Sequence, residues 1–433
     1  MRLSSRLFCF FSPTRNKGVL SYLALAALLL ALPMFFRTGT ALNLINQICI
    51  ASIFALSFNL LLGQTGLLSF GHAVYSGLGG FVAIHAMRQI SAGTLSMPTS
   101  LVPLVAGFAG IFFGLFFGFI SSKKSGISFS MISLGLGELV FASALMFPGF
   151  FGGEGGVSAN RVSGVAYLGI SFGPQIQVSY LIIIWTLLCI LAMMFFIRTP
   201  LCKLANALRD NSERLAFIGF NPRLIRFLMI LISSFFAAVA GGLAAINFEI
   251  ATAENVGALR SGMVLLFCII GGVGYFYGPI LGAVFVVLMT VVLSEFSPAW
   301  QFYTGLFFIA VVLFAPNGLA GLIAMCVIDL VAAYRQQGLC RYLLFIGGVL
   351  IAGTVFFSGI VVAVESIYRV RFSSNDAPSL PFFGLDLSLR DWPVWILALA
   401  LSFLGLLGLI SLRSVMKQRQ LRSSSQVNQV SSA

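Results

Sequence analysis

Long apolar runs, separated by short polar turns, dominate this sequence. They follow one another at Val19–Phe36, Leu42–Leu62, Leu67–Met87, Leu101–Ile120, Ile127–Phe147, Val178–Ile197, Leu224–Phe248, Ser261–Tyr275, Gly278–Leu293 and Ala299–Ala315. Two more lie at Tyr342–Val364 and Pro393–Leu412. A helix of about 20 apolar residues crosses the hydrocarbon of a bilayer. In lipid only helices and closed barrels satisfy their own backbone. Charged residues make up 9% of the chain, against about 25% in a soluble domain, so a soluble globular enzyme is excluded. The expected fold is all-α, a polytopic transmembrane helical bundle of about ten core spans plus two extra C-terminal spans. The two short runs flanking Gly271–Gly278 are equally compatible with a re-entrant segment.

Charge orients the bundle. Arg2, Arg6, Arg15 and Lys17 precede the first run without any acid. That run is too long for a signal core and lacks a small-residue cleavage site. An uncleaved first span with a cytoplasmic N-terminus follows. The even-numbered turns then collect Lys123, Lys124, the basic 198–226 loop, Arg335 and Arg341, and the tail adds Arg413, Lys417, Arg419 and Arg422. The odd-numbered loops carry Glu154, Glu249 and Glu254. This is the positive-inside pattern, with both termini cytoplasmic and residues 365–392 forming an outer loop. It also explains the net charge of +13 without nucleic acid. The seven Cys include no C-x-x-C pair, and the only histidines are His72 and His85, so no metal site is expected.

Two glycine-rich segments interrupt the apolar pattern. "NLLLGQTGLLSFGHAVYSGLGGF", Asn59 to Phe81, adds Gln64, Thr65, Ser69, His72 and Tyr75 to its glycines. "CIIGGVGYFYGPILGAVF", Cys268 to Phe285, contains Gly271, Gly272 and Gly274. Broken, polar segments of this kind line translocation pathways. For the glycines close helix packing is the favoured reading, and for the Gln64–His72 cluster the pathway. Glu138 stands near the middle of a span. A carboxylate there is costly, and it is read, in order, as a packing hydrogen-bond acceptor, a pathway residue or a proton carrier.

The polar loop "ALRDNSERLAFIGFNPRLIRF", Ala207 to Phe227, reads as a short amphipathic helix. Leu208, Leu215, Ala216 and Ile218 form its apolar side, and Arg209, Asp210, Glu213 and Arg214 its polar side. Gly219 suits a helix stop, with Pro222 close behind. A plain connector needs neither the apolar stripe nor the stop, so docking on a cytoplasmic partner is favoured. The sequence has no phosphate loop, nucleophile elbow or H-E-x-x-H. The chain is therefore not expected to be an enzyme or to hold a cofactor of its own. An ion-coupled secondary transporter, with Glu138 or His72 titrating, is the alternative, but it leaves the docking loop unexplained.

Taken in order, these segments resemble the permease subunits of bacterial branched-chain amino acid ABC importers, specifically the M-type member of the permease pair. The similarity extends to "ISLGLGEL" around Glu138, "FGGEGGV" at 151–157, "GGVGYFYGPILGA" and "LFAPNGL", and covers about residues 40 to 322. The resemblance implies a bacterial inner (plasma) membrane protein that pairs with a second permease, giving a heterodimer. Two cytoplasmic ATPase subunits binding ATP and Mg would drive it, and an extracytoplasmic binding protein would deliver the solute. Arg209, Asp210, Asn211, Glu213, Arg214 and Gly219 would belong to the coupling helix. Branched-chain amino acids are the expected solutes, with urea or short amides as the alternative. The implied division is 1–40 for the N-terminus and first span, 41–322 for the permease core with its coupling loop at 198–223, and 323–433 for an extension. The chain departs from the family in that extension and in its short loop after Phe147.

Overall fold

A computed structural model describes residues 15–162, 171–297, 299–315 and 317–335, with short isolated stretches beyond. Ten helices occupy the ten core runs: α1 (Arg15–Phe35), α2 (Gly39–Thr65), α3 (His72–Ser91), α4 (Val102–Ser121), α5 (Ile127–Met146), α6 (Gln175–Phe196), α9 (Pro222–Phe248), α10 (Ala258–Gly271), α11 (Gly278–Phe296) and α12 (Trp300–Phe314). Between α6 and α9 lie α7 (Pro200–Asp210) and α8 (Ser212–Phe217), and α13 is Gly318–Arg335. The only strands among the described residues form two small antiparallel pairs. β1 (Val157–Ser158) pairs with β2 (Ile250–Ala251), and β3 (Ser379–Phe382) with β4 (Leu385–Ser388).

Among the described residues, six helical segments are long and apolar enough to cross a membrane, or seven if a bent pair after Trp300 counts as one. Ten crossings were expected. The shortfall has local causes. Helix α3 carries His72, His85, Arg88 and Gln89. Helix α10 has 14 residues and rises about 21 Å, well short of the ~30 Å hydrocarbon layer. The expected spans at 342–364 and 393–412, and the basic tail, lie outside the described residues apart from isolated positions. The 365–392 stretch contains the β3–β4 hairpin.

The chain divides into two compact units, Met1–Leu293 with Thr304–Ile323, and Ser294–Tyr303 with Ala324–Ala433. The first unit is built around α9, which packs most broadly on α4, α3 and α2. Small residues let the backbones approach. On α4, Gly107, Gly110, Gly114 and Gly118 recur every three or four residues and face α9. A Cβ on Gly110 would lie 2.5 Å from the Ser234 carbonyl oxygen, and one on Gly241 would overlap the Ser76 carbonyl.

At the acidic end of this unit, polar groups are paired internally. Asn247 of α9 bonds Asn43 and Asn46 of α2, both at 2.8 Å, and Gln175 of α6 at 3.2 Å. Arg161 donates to the carbonyls of Phe172, Ile246, Asn247 and Gly173 and to Gln175 Oε1, and its Nε lies 3.6 Å from Glu249.

Candidate functional site

A cavity of about 730 Å³ opens within the first unit, walled by α2, α3, α5, α9, α10, α11 and the turn before α10. Its size falls in the usual range for ligand sites. Most of the wall is apolar, with Ile50, Phe54, Phe141, Met263 and Phe267 prominent. Gln47, Ser76, Glu138, Glu254, Asn255, Arg260 and Thr290 supply its polar groups.

Glu138 is the one sequence-derived pathway candidate on this wall. Its carboxylate accepts no hydrogen bond from the described residues. Its carboxylate is exposed at the cavity rather than paired inside the bundle.

The Gln64–Tyr75 cluster lies elsewhere. Helix α2 ends at Thr65, with Gly66 left-handed at φ +69°. The chain then doubles back, and α3 starts at His72 beside Ser57, eight residues before the end of α2 and so about 12 Å up its axis. The backbone freed by this break does not face water. Ser130 Oγ of α5 donates to the Leu68 carbonyl at 2.7 Å, and Ser133 Oγ accepts from the Phe70 N–H at 3.0 Å. The first turn of α3 is tied likewise, with the Ala73 N–H donating to Ser261 Oγ of α10 at 3.0 Å.

His72 is fully buried behind the cavity wall, enclosed by Phe54, Phe58 and Tyr75. The Ser57 hydroxyl donates its single proton to the Phe54 carbonyl at 2.7 Å. Ser57 Oγ also lies 3.0 Å from His72 Nε2. His72 Nδ1 is left without a partner among the described residues. Ser69 and Tyr75 border only a gap of about 10 Å³, at the limit for one water. Thr65 Oγ1 bonds back to the Leu61 carbonyl.

Gln64 turns to the basic loop instead. Its Oε1 accepts from Asn206 Nδ2 at 2.9 Å and from Cys202 Sγ at 3.3 Å, both on α7. Arg209, at the end of α7, donates from Nη1 to the Gly63 carbonyl. A Cβ on Gly66 would lie 2.9 Å from Arg209 Cγ. The α7 element is thus fastened to the last turn of α2. Cys202 is buried there, and burial pushes its thiol up to about 11.

The loop expected as one amphipathic helix is two. Asn211 breaks it in extended conformation and caps α8, accepting from the Glu213 and Arg214 N–H groups at 3.0 and 2.9 Å. Leu208 and Leu215 are buried as expected. Ala216 and Ile218, expected on the apolar side, are exposed. Phe217 is 90% exposed, so the tip presents a large apolar side chain to its surroundings. Asp210 makes only a loose 3.8 Å ion pair with Arg209. Gly219 ends the element at φ +96°.

The second glycine segment is a tight junction. Gly271 and Gly278 meet backbone to backbone, and Gly272, at φ +108°, lies against the Asn317 carbonyl. Gly63 sits where a Cβ would come 3.1 Å from the Val273 carbonyl. Gly274 faces open space. The two glycine segments therefore meet each other, beside α7, rather than framing the cavity.

Arg260, the only cation on the cavity wall, was not singled out from sequence. It stands at the head of an apolar run, where it reads as a flanking charge. A lone Arg opening a run on the acidic side is the one available signal.

A multi-span bundle with an internal cavity and a docked basic loop defines a membrane transport permease. Residues 40–316 match the family described as branched-chain amino acid transport system / permease component, and the chain belongs to it. The high-affinity branched-chain amino acid transport system permease protein LivM of Escherichia coli (strain K12) is 25% identical over 324 residues, covering 70% of this chain and 75% of its own. The protein of the same name from Salmonella typhimurium is 24% identical over 326 residues, with the same coverage. No solved structure matches the chain.

Proposed function

We propose that this chain is the translocation subunit of an ATP-driven importer of branched-chain amino acids. Its core, 41–322, would pair with a second permease in the bacterial inner membrane, with its basic end and both termini in the cytoplasm. Separate ATPase subunits would bind ATP and Mg, and an extracytoplasmic binding protein would deliver the solute to the cavity containing Glu138.

The observation that carries this reading is the fastening of α7 to the end of α2 through Asn206–Gln64 and Arg209–Gly63. An element so held, with Phe217 presented outward, transmits a push from a docked partner into the bundle. Asn211, Glu213, Arg214 and Gly219 shape its tip. A secondary transporter has no use for such an element.

The test is uptake of labelled leucine and of labelled urea in cells lacking the gene and in cells where it is restored. Leucine uptake should fall and recover on complementation. Loss confined to urea uptake would refute the amino-acid assignment, and dependence on an ion gradient without ATP would refute the importer class.

A further inference from the structure

Arg161 and Arg260 both serve the acidic end of the first unit, yet their surroundings differ. Arg161 spends its donors on four carbonyls and Gln175 and faces Glu249. Arg260 has five N–H donors and makes one hydrogen bond, Nη1 to Asn255 Oδ1 at 3.3 Å. It forms no ion pair with any described residue. It is half-buried on the cavity wall, in the first turn of α10. An arginine at this depth is costly unless something pairs with it.

The same wall carries the opposite charge. Glu138 and Glu254 line the cavity, and neither carboxylate is in an ion pair or accepts a hydrogen bond from the described residues. If these groups were there to hold the helices together, they would be bonded to one another, as Arg161 and Glu249 are. The cavity thus presents one guanidinium with a single hydrogen bond and two carboxylates with no partner among the described residues, on an otherwise mostly apolar wall. A solute without charged groups can form no ion pair with them. A solute with a carboxylate, an ammonium group and an aliphatic side chain uses all three features.

We propose that Arg260 receives the carboxylate of a zwitterionic α-amino acid inside the permease, with Glu138 and Glu254 facing its ammonium group. Bidentate pairing suits a guanidinium and a carboxylate. The free N–H groups at the start of α10 add favourable potential for the same anion. The permease then selects for zwitterions itself, rather than accepting whatever is delivered. This rests on the permease reading above and deepens it.

The test is equilibrium binding of labelled leucine to the full-length chain, purified in nanodiscs with the subunits that accompany it. Wild type should bind saturably. Arg260→Gln should bind about tenfold more weakly or worse, as expected for losing a charged hydrogen-bond partner. Arg260→Lys, which keeps the charge but loses the bidentate fork, should recover part of the affinity, which guards against a folding artefact. Leucinamide, which lacks the carboxylate, should compete poorly with wild type and equally with Arg260→Gln, and urea should not compete at all. Wild-type binding unchanged in Arg260→Gln would overturn the inference and leave Arg260 to a partner subunit. So would absence of leucine binding by wild type, or urea competing as well as leucine. The gene-deletion uptake assay decides the permease reading separately. Leucine uptake that depends on the gene, with binding indifferent to Arg260, would sink this inference alone.

Discussion

Arg209 and Gly63 are 146 residues apart in sequence, and the guanidinium of the first donates to the carbonyl of the second. This bond occupies a carbonyl in the last turn of α2, which the helix itself leaves open. Replacing Arg209 with Ala should leave that carbonyl unpaired, at ~1–3 kcal/mol. Transport should fall about tenfold while the amount of chain in the membrane stays the same. Where the ATPase partners are present, ATP hydrolysis should persist without uptake. Uptake at the wild-type rate in Arg209→Ala would rule out the linkage.

Gly66 has two reasons to be glycine. It is left-handed, and Arg209 Cγ lies 2.9 Å from where its Cβ would be. Gly66→Ala should cost ~1–2 kcal/mol for the backbone alone. It should also displace Arg209. Thermal unfolding in detergent should show the first effect, and an uptake defect like that of Arg209→Ala the second. Gly135, with nothing near its Cβ position, should tolerate Ala with little change in either.

Ser130 and Ser133 close the break between α2 and α3. The double change to Ala should strand the Leu68 carbonyl and the Phe70 N–H at ~1–3 kcal/mol each. The expected readout is faster proteolysis and a lower unfolding temperature, with the single variants intermediate. Wild-type stability in the double variant would mean that water satisfies this segment.

Cys202 offers a pH test. Its folded-state value is raised to about 11 from 9.0 by burial, so the neutral thiol is favoured up to that pH. In the unfolded chain the thiol ionises first, so this group supports the fold below pH ~9 and loses that contribution as pH rises toward 11. Maleimide should react slowly with Cys202 in the folded protein at about pH 8 and quickly once the chain is unfolded, because the thiolate is the reactive form. Rapid labelling of the folded chain at that pH would show that α7 detaches from Gln64.

The spans were legible because each apolar run is local and long. The buried side of the loop was legible too, from the spacing of Leu208 and Leu215, as was its stop at Gly219. The partners of the break were not. Gln64 reads as a pathway residue from its neighbours, and its bond to Asn206 joins positions 142 apart. Ser130 and Ser133 look like ordinary polar residues of a span until α5 is laid against the 66–71 segment. Arg260 illustrates the converse. Its charge is plain in the sequence, but whether it is satisfied depends on which carboxylates lie near it in space. Periodicity shows which face of a helix is apolar and says nothing of what a single polar group meets.

The bond from the Ala73 amide to Ser261 gives the molecule a built-in reporter. An amide in the first turn of a helix has no acceptor within that helix, and this one is held by the hydroxyl of α10. Deuterium can replace its hydrogen only when α10 and α3 part. The exchange rate at Ala73 therefore counts openings between the helix bearing Arg260 and the helix bearing Ser76, one backbone proton at a time. A protein working through cycles of rearrangement would record their frequency in that isotope without any label being attached.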